Sequence, residues 1–265
     1  SGSESSRSER NSTTNQTILS GDIGNINDGS DNTFHVVVPS NGSHLEGFII
    51  QDGNASENYS DSRGKGGGLY AEGVNFSISE CIFQGNRARQ QGGAAYLLDT
   101  NATFSNCTFS NNLASSGGAL DITDSKVTIL DSNFSGNQSD YAGGAIAALN
   151  SIISVSSGTF SLNQINLNNG GGAINAEYGS LILTDCTFNQ NQATLDGGAI
   201  DAEKLDLNTT NCVFTNNRNS MNNGGGAIAL SYGVWSDLNS SYNDNYSASS
   251  GGALDIADSN VTIMD

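Results

Sequence analysis

Apolar residues two apart, with a polar or small residue between them, recur along this chain at a nearly constant interval. The clearest copy runs Ala173-Ile174-Asn175-Ala176, then Leu181-Ile182-Leu183, then Cys186-Thr187-Phe188. Alternation of this kind marks a strand with one buried face. The step of three between Leu183 and Cys186 breaks the alternation, so a bend is expected there. Each repeat is thus predicted to hold about three short strands joined by corners.

The first strand is always announced by Gly-Gly-Ala or a close variant, opening at Gly66, Gly92, Gly117, Gly143, Gly171, Gly197, Gly225 and Gly251. A repeat of about 25–28 residues indicates a solenoid, in which each coil buries its apolar face only against its neighbours. The apolar position after the glycines is Leu69, Ala95, Leu120, Ile146, Ile174, Ile200, Ile228 and Leu254. No apolar pattern follows helical spacing, and 33 glycines with abundant Asn, Ser and Thr disfavour helix throughout. The expected fold is all-β, a parallel β-helix whose coils rise about 4.8 Å each. Residues 17–65 are read as its N-terminal coils and 66–265 as its repeat region. Residues 1–16 are read as a polar, poorly ordered linker.

Stacked coils turn equivalent residues into columns. One column is Phe83, Phe109, Phe134, Phe160, Phe188 and Phe214, continued by Tyr242. A second is Asn86, Asn112, Asn137, Asn163, Asn191 and Asn217, continued by Asn245. Stacked amides can hydrogen-bond along the column and tolerate a left-handed corner. From these columns Phe188→Ala is expected to cost about 3–5 kcal/mol. Asn191→Ala is expected to be milder, and Asp201→Ala nearly neutral at an exposed position.

Gly-Gly-Ala-(Ile/Leu/Val) paired with Phe-x-x-Asn resembles the repeats of the chlamydial-type polymorphic outer-membrane proteins and their relatives among bacterial surface proteins. The resemblance covers roughly Gly66 to Asp265. Upstream, Thr17-Ile18-Leu19-Ser20-Gly21-Asp22 and Leu45-Glu46-Gly47-Phe48-Ile49-Ile50 are similar to the first coils of such proteins. The resemblance implies a right-handed β-helix displayed at a cell surface, often as an autotransporter passenger, with roles in adhesion. It brings no general catalytic residues to transfer.

Composition narrows the function classes. The formal net charge is −18 and the pI about 4.1. Binding to nucleic acid through phosphates is excluded on that balance, and adsorption to anionic membranes is disfavoured. An acidic exterior also keeps a long β-rich rod from associating with itself. No apolar run reaches the length needed to cross a bilayer, so membrane insertion by this segment is not expected. About fourteen Asn-x-Ser/Thr sequons, among them Asn41, Asn101 and Asn260, reflect an Asn- and Ser-rich composition.

The candidate chemistry is sparse. Cys81, Cys107, Cys186 and Cys212 share one slot, two residues before the column aromatic, which Ser132, Gly158 and Ser240 fill elsewhere. They read as buried free thiols, with Cys81–Cys107 and Cys186–Cys212 staples between adjacent coils as the alternative. Their spacing does not suit zinc, and no metal or other cofactor is expected. His35 and His44 lie in no recognisable catalytic arrangement. Asp121, Asp201 and Asp255 share an outward column, but coils three apart are about 14 Å from each other, too far for a carboxylate pair. Asp121 with Asp124, or Asp255 with Asp258, remains a short-range option. Residues 117–131 return nearly unchanged as 251–265, which reads as duplication of a multi-coil block.

The expected function is that of a non-enzymatic extracellular rod: a stalk, adhesin or passenger. The alternatives are a filament subunit and a polysaccharide-active enzyme. A host-surface molecule or glycan is the expected ligand class. The strand that reaches Met264-Asp265 calls for cover, either from further chain or from the N-terminal coils of a second copy stacked end to end.

Overall fold

The computed structural model describes residues 15–26, 28–56, 62–167, 170–221 and 224–265. The expected linker, residues 1–16, lies outside them except for Asn15 and Gln16, which are exposed. The described residues form three parallel sheets running the length of a solenoid, with one short 3-10 turn at Ser62–Gly64. The coil beginning at Gly171 shows the plan. The strand Ile174–Thr184 belongs to a fourteen-stranded sheet, Thr187–Asn189 to a nine-stranded sheet, and Gln192–Ala193 to an eight-stranded sheet. Every strand pairing is parallel, and equivalent residues stand in register. Phe160, Phe188 and Phe214 pair in turn, as do Ile146, Ile174 and Ile200.

The two predicted strands after the glycines are separate in some coils, as at Leu120–Thr123 and Lys126–Leu130. In three coils they merge into one strand of eleven residues, Ile146–Ser156, Ile174–Thr184 and Ile200–Thr210. The turn between them persists inside the long strands. Asn150, Tyr178 and Lys204 hold φ of 50°, 56° and 53° and drop out of the pairing ladder there. The N-terminal coils join the same sheets: Thr17–Ser20 pairs with Phe48–Gln51, and Ile50 stands on Phe83.

The core is the set of inward columns. Leu69, Leu120, Ile146, Ile174, Ile200 and Ile228 are buried, as are Leu181, Leu183 and the whole phenylalanine column. Successive phenyl rings lie 4.6–5.1 Å apart from Phe83 to Phe214, within about 11° of parallel, and Tyr242 continues the stack at 5.0 Å. The coil rise sets that spacing. Phenyl rings repeating at this distance stack face to face and are fully buried, which is where large side chains contribute most.

The Gly-Gly turn is a steric requirement. At Gly172 a β-carbon would lie 2.2 Å from the carbonyl oxygen of Gly198 in the next coil, and at Gly198 it would lie 2.0 Å from that of Gly226. No side chain fits where one backbone passes another so closely.

Candidate functional site

The asparagine column is buried and fully bonded. Each Nδ2 donates to the next Oδ1, at 3.2 Å from Asn86 to Asn112 and at 2.9 Å from Asn191 to Asn217. From Asn112 on, each Nδ2 also donates to a phenylalanine carbonyl of the preceding coil. Each Oδ1 accepts a backbone N–H as well, as Asn191 does from Asn163 at 3.1 Å. The left-handed corner falls one residue earlier than the sequence implied, at Gly85, Asn111, Gly136, Leu162, Gln190, Asn216 and Asp244. The column asparagines are therefore chosen for their amide pairing and not for their backbone.

The four cysteines are free, buried thiols, and neither Cys81–Cys107 nor Cys186–Cys212 is bonded. Cys107, Cys186 and Cys212 direct Sγ at the carbonyl two residues back, at 3.3–3.4 Å, as Ser132 does with Oγ at 2.7 Å. The slot takes a small donor, which is why Ser and Cys exchange there. Burial pushes the Cys107 thiol up to about 12. Cys186 is pushed up by its hydrogen bond to the Cys212 sulfur and by burial. Cys107 and Cys186, held this way, are poor nucleophiles.

His35 lies against Tyr70, ring centroids 5.0 Å apart, with Nδ1 2.9 Å from the Gly66 carbonyl oxygen, and burial lowers its pKa. His44 bonds Ser77 Oγ at 2.8 Å. Among the described residues no group of three or more His, Cys, Asp or Glu side chains is placed to hold a metal ion.

The outward column of the fourteen-stranded sheet carries more chemistry than the sequence indicated. It reads Tyr70, Tyr96, Asp121, Ala147, Asn175, Asp201, Ala229 and Asp255, each in register with the next. Tyr70 and Tyr96 stack at 5.6 Å, and Lys65 Nζ lies 4.6 Å from the Tyr96 ring centroid. Asp121 was expected at an outward position but is 3% exposed. Its Oδ1 accepts from Gln91 Nε2 at 3.1 Å and its Oδ2 from Ser116 Oγ at 2.6 Å. Burial raises its pKa to about 6, opposed by those two bonds and by Lys65. Asp201 is likewise not exposed: it is half-buried and accepts from Asn175 Nδ2 at 3.2 Å. Burial raises its pKa well above the usual carboxylate range, helped by the charges of Asp196, Glu203 and Glu177.

Ala147 interrupts this column of long polar side chains. A cleft of about 180 Å³ opens above it. Asp121 and Thr123 form one wall, Asn175 and Glu177 the other, and Gln91 and Ser116 close one end. The second alanine of the column, Ala229, is spanned by a hydrogen bond from the Gly224 N–H to Asp255 Oδ2 at 2.8 Å. Neither expected short pairing of Asp121 with Asp124 nor of Asp255 with Asp258 organises the site; Asp121 is held by Ser116 at the entry of its own turn and by Gln91 of the preceding coil, and Asp255 by Gly224 of the preceding coil. The signal for the cleft was present in the sequence as a small residue between Asp121 and Asn175 in the column. Its closed end was not legible, because Gln91 comes from the preceding coil and meets Asp121 only through the stacking of turns.

A polar network inside the solenoid also escaped the sequence reading. Asp237 is fully buried, accepting from Thr209 Oγ1 at 2.5 Å and from Tyr242 OH at 2.8 Å, while Trp235 Nε1 donates to Thr209 at 2.9 Å.

No curated protein and no solved structure matched the chain. Residues 106–123, 131–149 and 185–203 match the Chlamydia polymorphic membrane protein repeat. The first and third of these segments run from a Cys-x-Phe strand through the asparagine corner and the Gly-Gly turn to the next outward column. The chain is thus a parallel β-solenoid that matches the Chlamydia polymorphic membrane protein repeat at three positions along its length.

Proposed function

We propose that this chain is a non-enzymatic, extracellular β-helical surface protein of the adhesin or stalk type, displayed as an autotransporter passenger. The match of three segments to a membrane-protein repeat carries this reading. Those repeats point to the cell surface as the place where the solenoid is presented.

The distribution of variation between coils favours recognition over simple spacing. Two inward columns repeat one residue type from coil to coil, Phe on Phe and Asn on Asn, and the column from Leu69 to Ile228 stays apolar. The outward column changes at nearly every step, from tyrosine to aspartate to alanine to asparagine. A constant scaffold with a varied exterior is how solenoids present binding surfaces. Burying an aspartate under its neighbours, as at Asp121, also exceeds what a spacer needs.

The test is exposure on the producing cell. Protease added to intact cells is expected to remove epitopes of this chain without lysis. Epitopes that survive until the cells are broken would overturn the surface assignment.

A further inference from the structure

We propose that the cleft above Ala147 is a binding site for a single neutral sugar ring. The inference deepens the adhesin reading and rests on it for its biological setting, while its physical basis is the cleft itself.

The argument begins with shape. Ala147 lies in register between Asp121 and Asn175, one coil to either side. The two walls therefore stand about 10 Å apart, twice the strand spacing, with only a methyl group between them. The volume of about 180 Å³ is that of roughly six waters. It is below what drug-sized ligands occupy, so it accommodates one ring and not an extended oligomer.

The lining then selects the chemistry. Ala147 and Leu149 give an apolar floor, and the walls above it are amide, hydroxyl and carboxyl groups. A pyranose has the complementary form, with apolar C–H faces and a polar edge. The amide of Gln91 donates to Asp121 in the cleft, and that of Asn175 donates to Asp201 in the coil beyond it. Each amide group has further donor and acceptor capacity for sugar hydroxyls. Those bonds also hold the amides in place before a ligand arrives, which lowers the entropy cost of binding.

Charge excludes the main competitors. No Lys or Arg lines the cleft, and Glu177 does, so phosphates, sulfates and acidic sugars are disfavoured. A cation is disfavoured because both oxygens of Asp121 already accept from Gln91 and Ser116.

The experiment uses the whole chain labelled with ¹³C at alanine methyl groups. Glucose, galactose, mannose and N-acetylglucosamine are titrated singly at millimolar concentration. At least one is expected to shift the Ala147 and Ala148 signals in a saturable way. Ala147→Leu fills the cleft and is expected to weaken that binding at least tenfold with the melting temperature unchanged. If Ala147→Leu fails to fold, Asn175→Ala serves, with the same expected loss read at the same methyl groups. Three results would overturn the inference: no shift with any neutral sugar, a shift only with calcium or an amine, or unchanged affinity in the variants. Failure here leaves protease exposure on intact cells untouched, so the two readings fail separately.

Discussion

Asn191 shows why a polar residue can hold this fold as firmly as an aromatic one. Its Nδ2 donates to the Phe160 carbonyl at 3.0 Å and to Asn217 Oδ1 at 2.9 Å. Its Oδ1 accepts from Asn163 N–H at 3.1 Å and from Asn163 Nδ2 at 3.0 Å. Alanine there leaves the Asn163 N–H and one hydrogen of Asn163 Nδ2 buried without an acceptor, each costing about 1–3 kcal/mol, and takes one donor from the Phe160 carbonyl. Asn191→Ala is therefore expected to destabilise at least as much as Phe188→Ala, about 3–5 kcal/mol. That reverses the order expected from sequence alone, and urea denaturation of the two variants decides it. Ser139 presents the opposite case. It stands in register between Ala114 and Ile165, fully buried, and its Oγ has no hydrogen-bond partner. Ser139→Ala removes an orphaned hydroxyl at no cost in volume and is expected to stabilise by about 1 kcal/mol. A lower denaturation midpoint for Ser139→Ala would show that the hydroxyl is satisfied in solution.

At the scale of the coil, the turn is the least forgiving part. Ala173 N–H donates to the Ala199 carbonyl at 2.9 Å, and Gly172 N–H to the Gly197 carbonyl at 3.1 Å, so adjacent turns are locked in contact. Gly172→Ala must push a methyl group into the Gly198 carbonyl and separate two coils. Its expected effect is loss of cooperative folding at 37 °C, visible as a broadened or absent melting transition. Ala173→Gly, one residue on, tests the contrast. It only trims a buried methyl and is expected to cost about 1–2 kcal/mol with cooperativity kept. The turn, the phenylalanine column and the strand phase were legible because the same residue returns at the same place in every coil. Repetition exposes any position where one residue type is required. The merging of two strands into Ile146–Ser156 was not legible, because it depends on how far the corner at Asn150 departs from the ladder. Nor was the corner's true position: Gln190, not Asn191, takes the left-handed backbone, and nothing about glutamine announces that. The burial of Asp121 was hidden for a related reason. Its partners Gln91 and Ser116 are set by how two turns meet, which alternation along one strand does not report.

Over the whole molecule the acidic charge and the covered carboxylates act in one direction. The net charge of −18 repels itself at neutral pH. Asp121, Asp196 and Asp201 all have pKa values raised chiefly by burial. An acid whose folded pKa lies above its unfolded value binds its proton more tightly in the folded state. Its contribution is therefore fully present below the unfolded value of 3.8 and is lost as pH rises through the folded value, about 6 for Asp121. Each pKa unit corresponds to about 1.4 kcal/mol, so ionising Asp121 removes about 3 kcal/mol by pH 7. The melting temperature is expected to rise as pH falls from 7.5 towards 4, the reverse of the behaviour of proteins stabilised by ion pairs. Asp121→Asn keeps the shape and cannot ionise. It is expected to melt above the parent at pH 7.5 and no higher than the parent at pH 4, with the parent's pH dependence reduced between those limits. Calorimetry of both proteins across that range makes the comparison. Equal pH dependence in the two would mean that Asp121 is open to water, and with it that the wall of the cleft above Ala147 is not held as the structure has it.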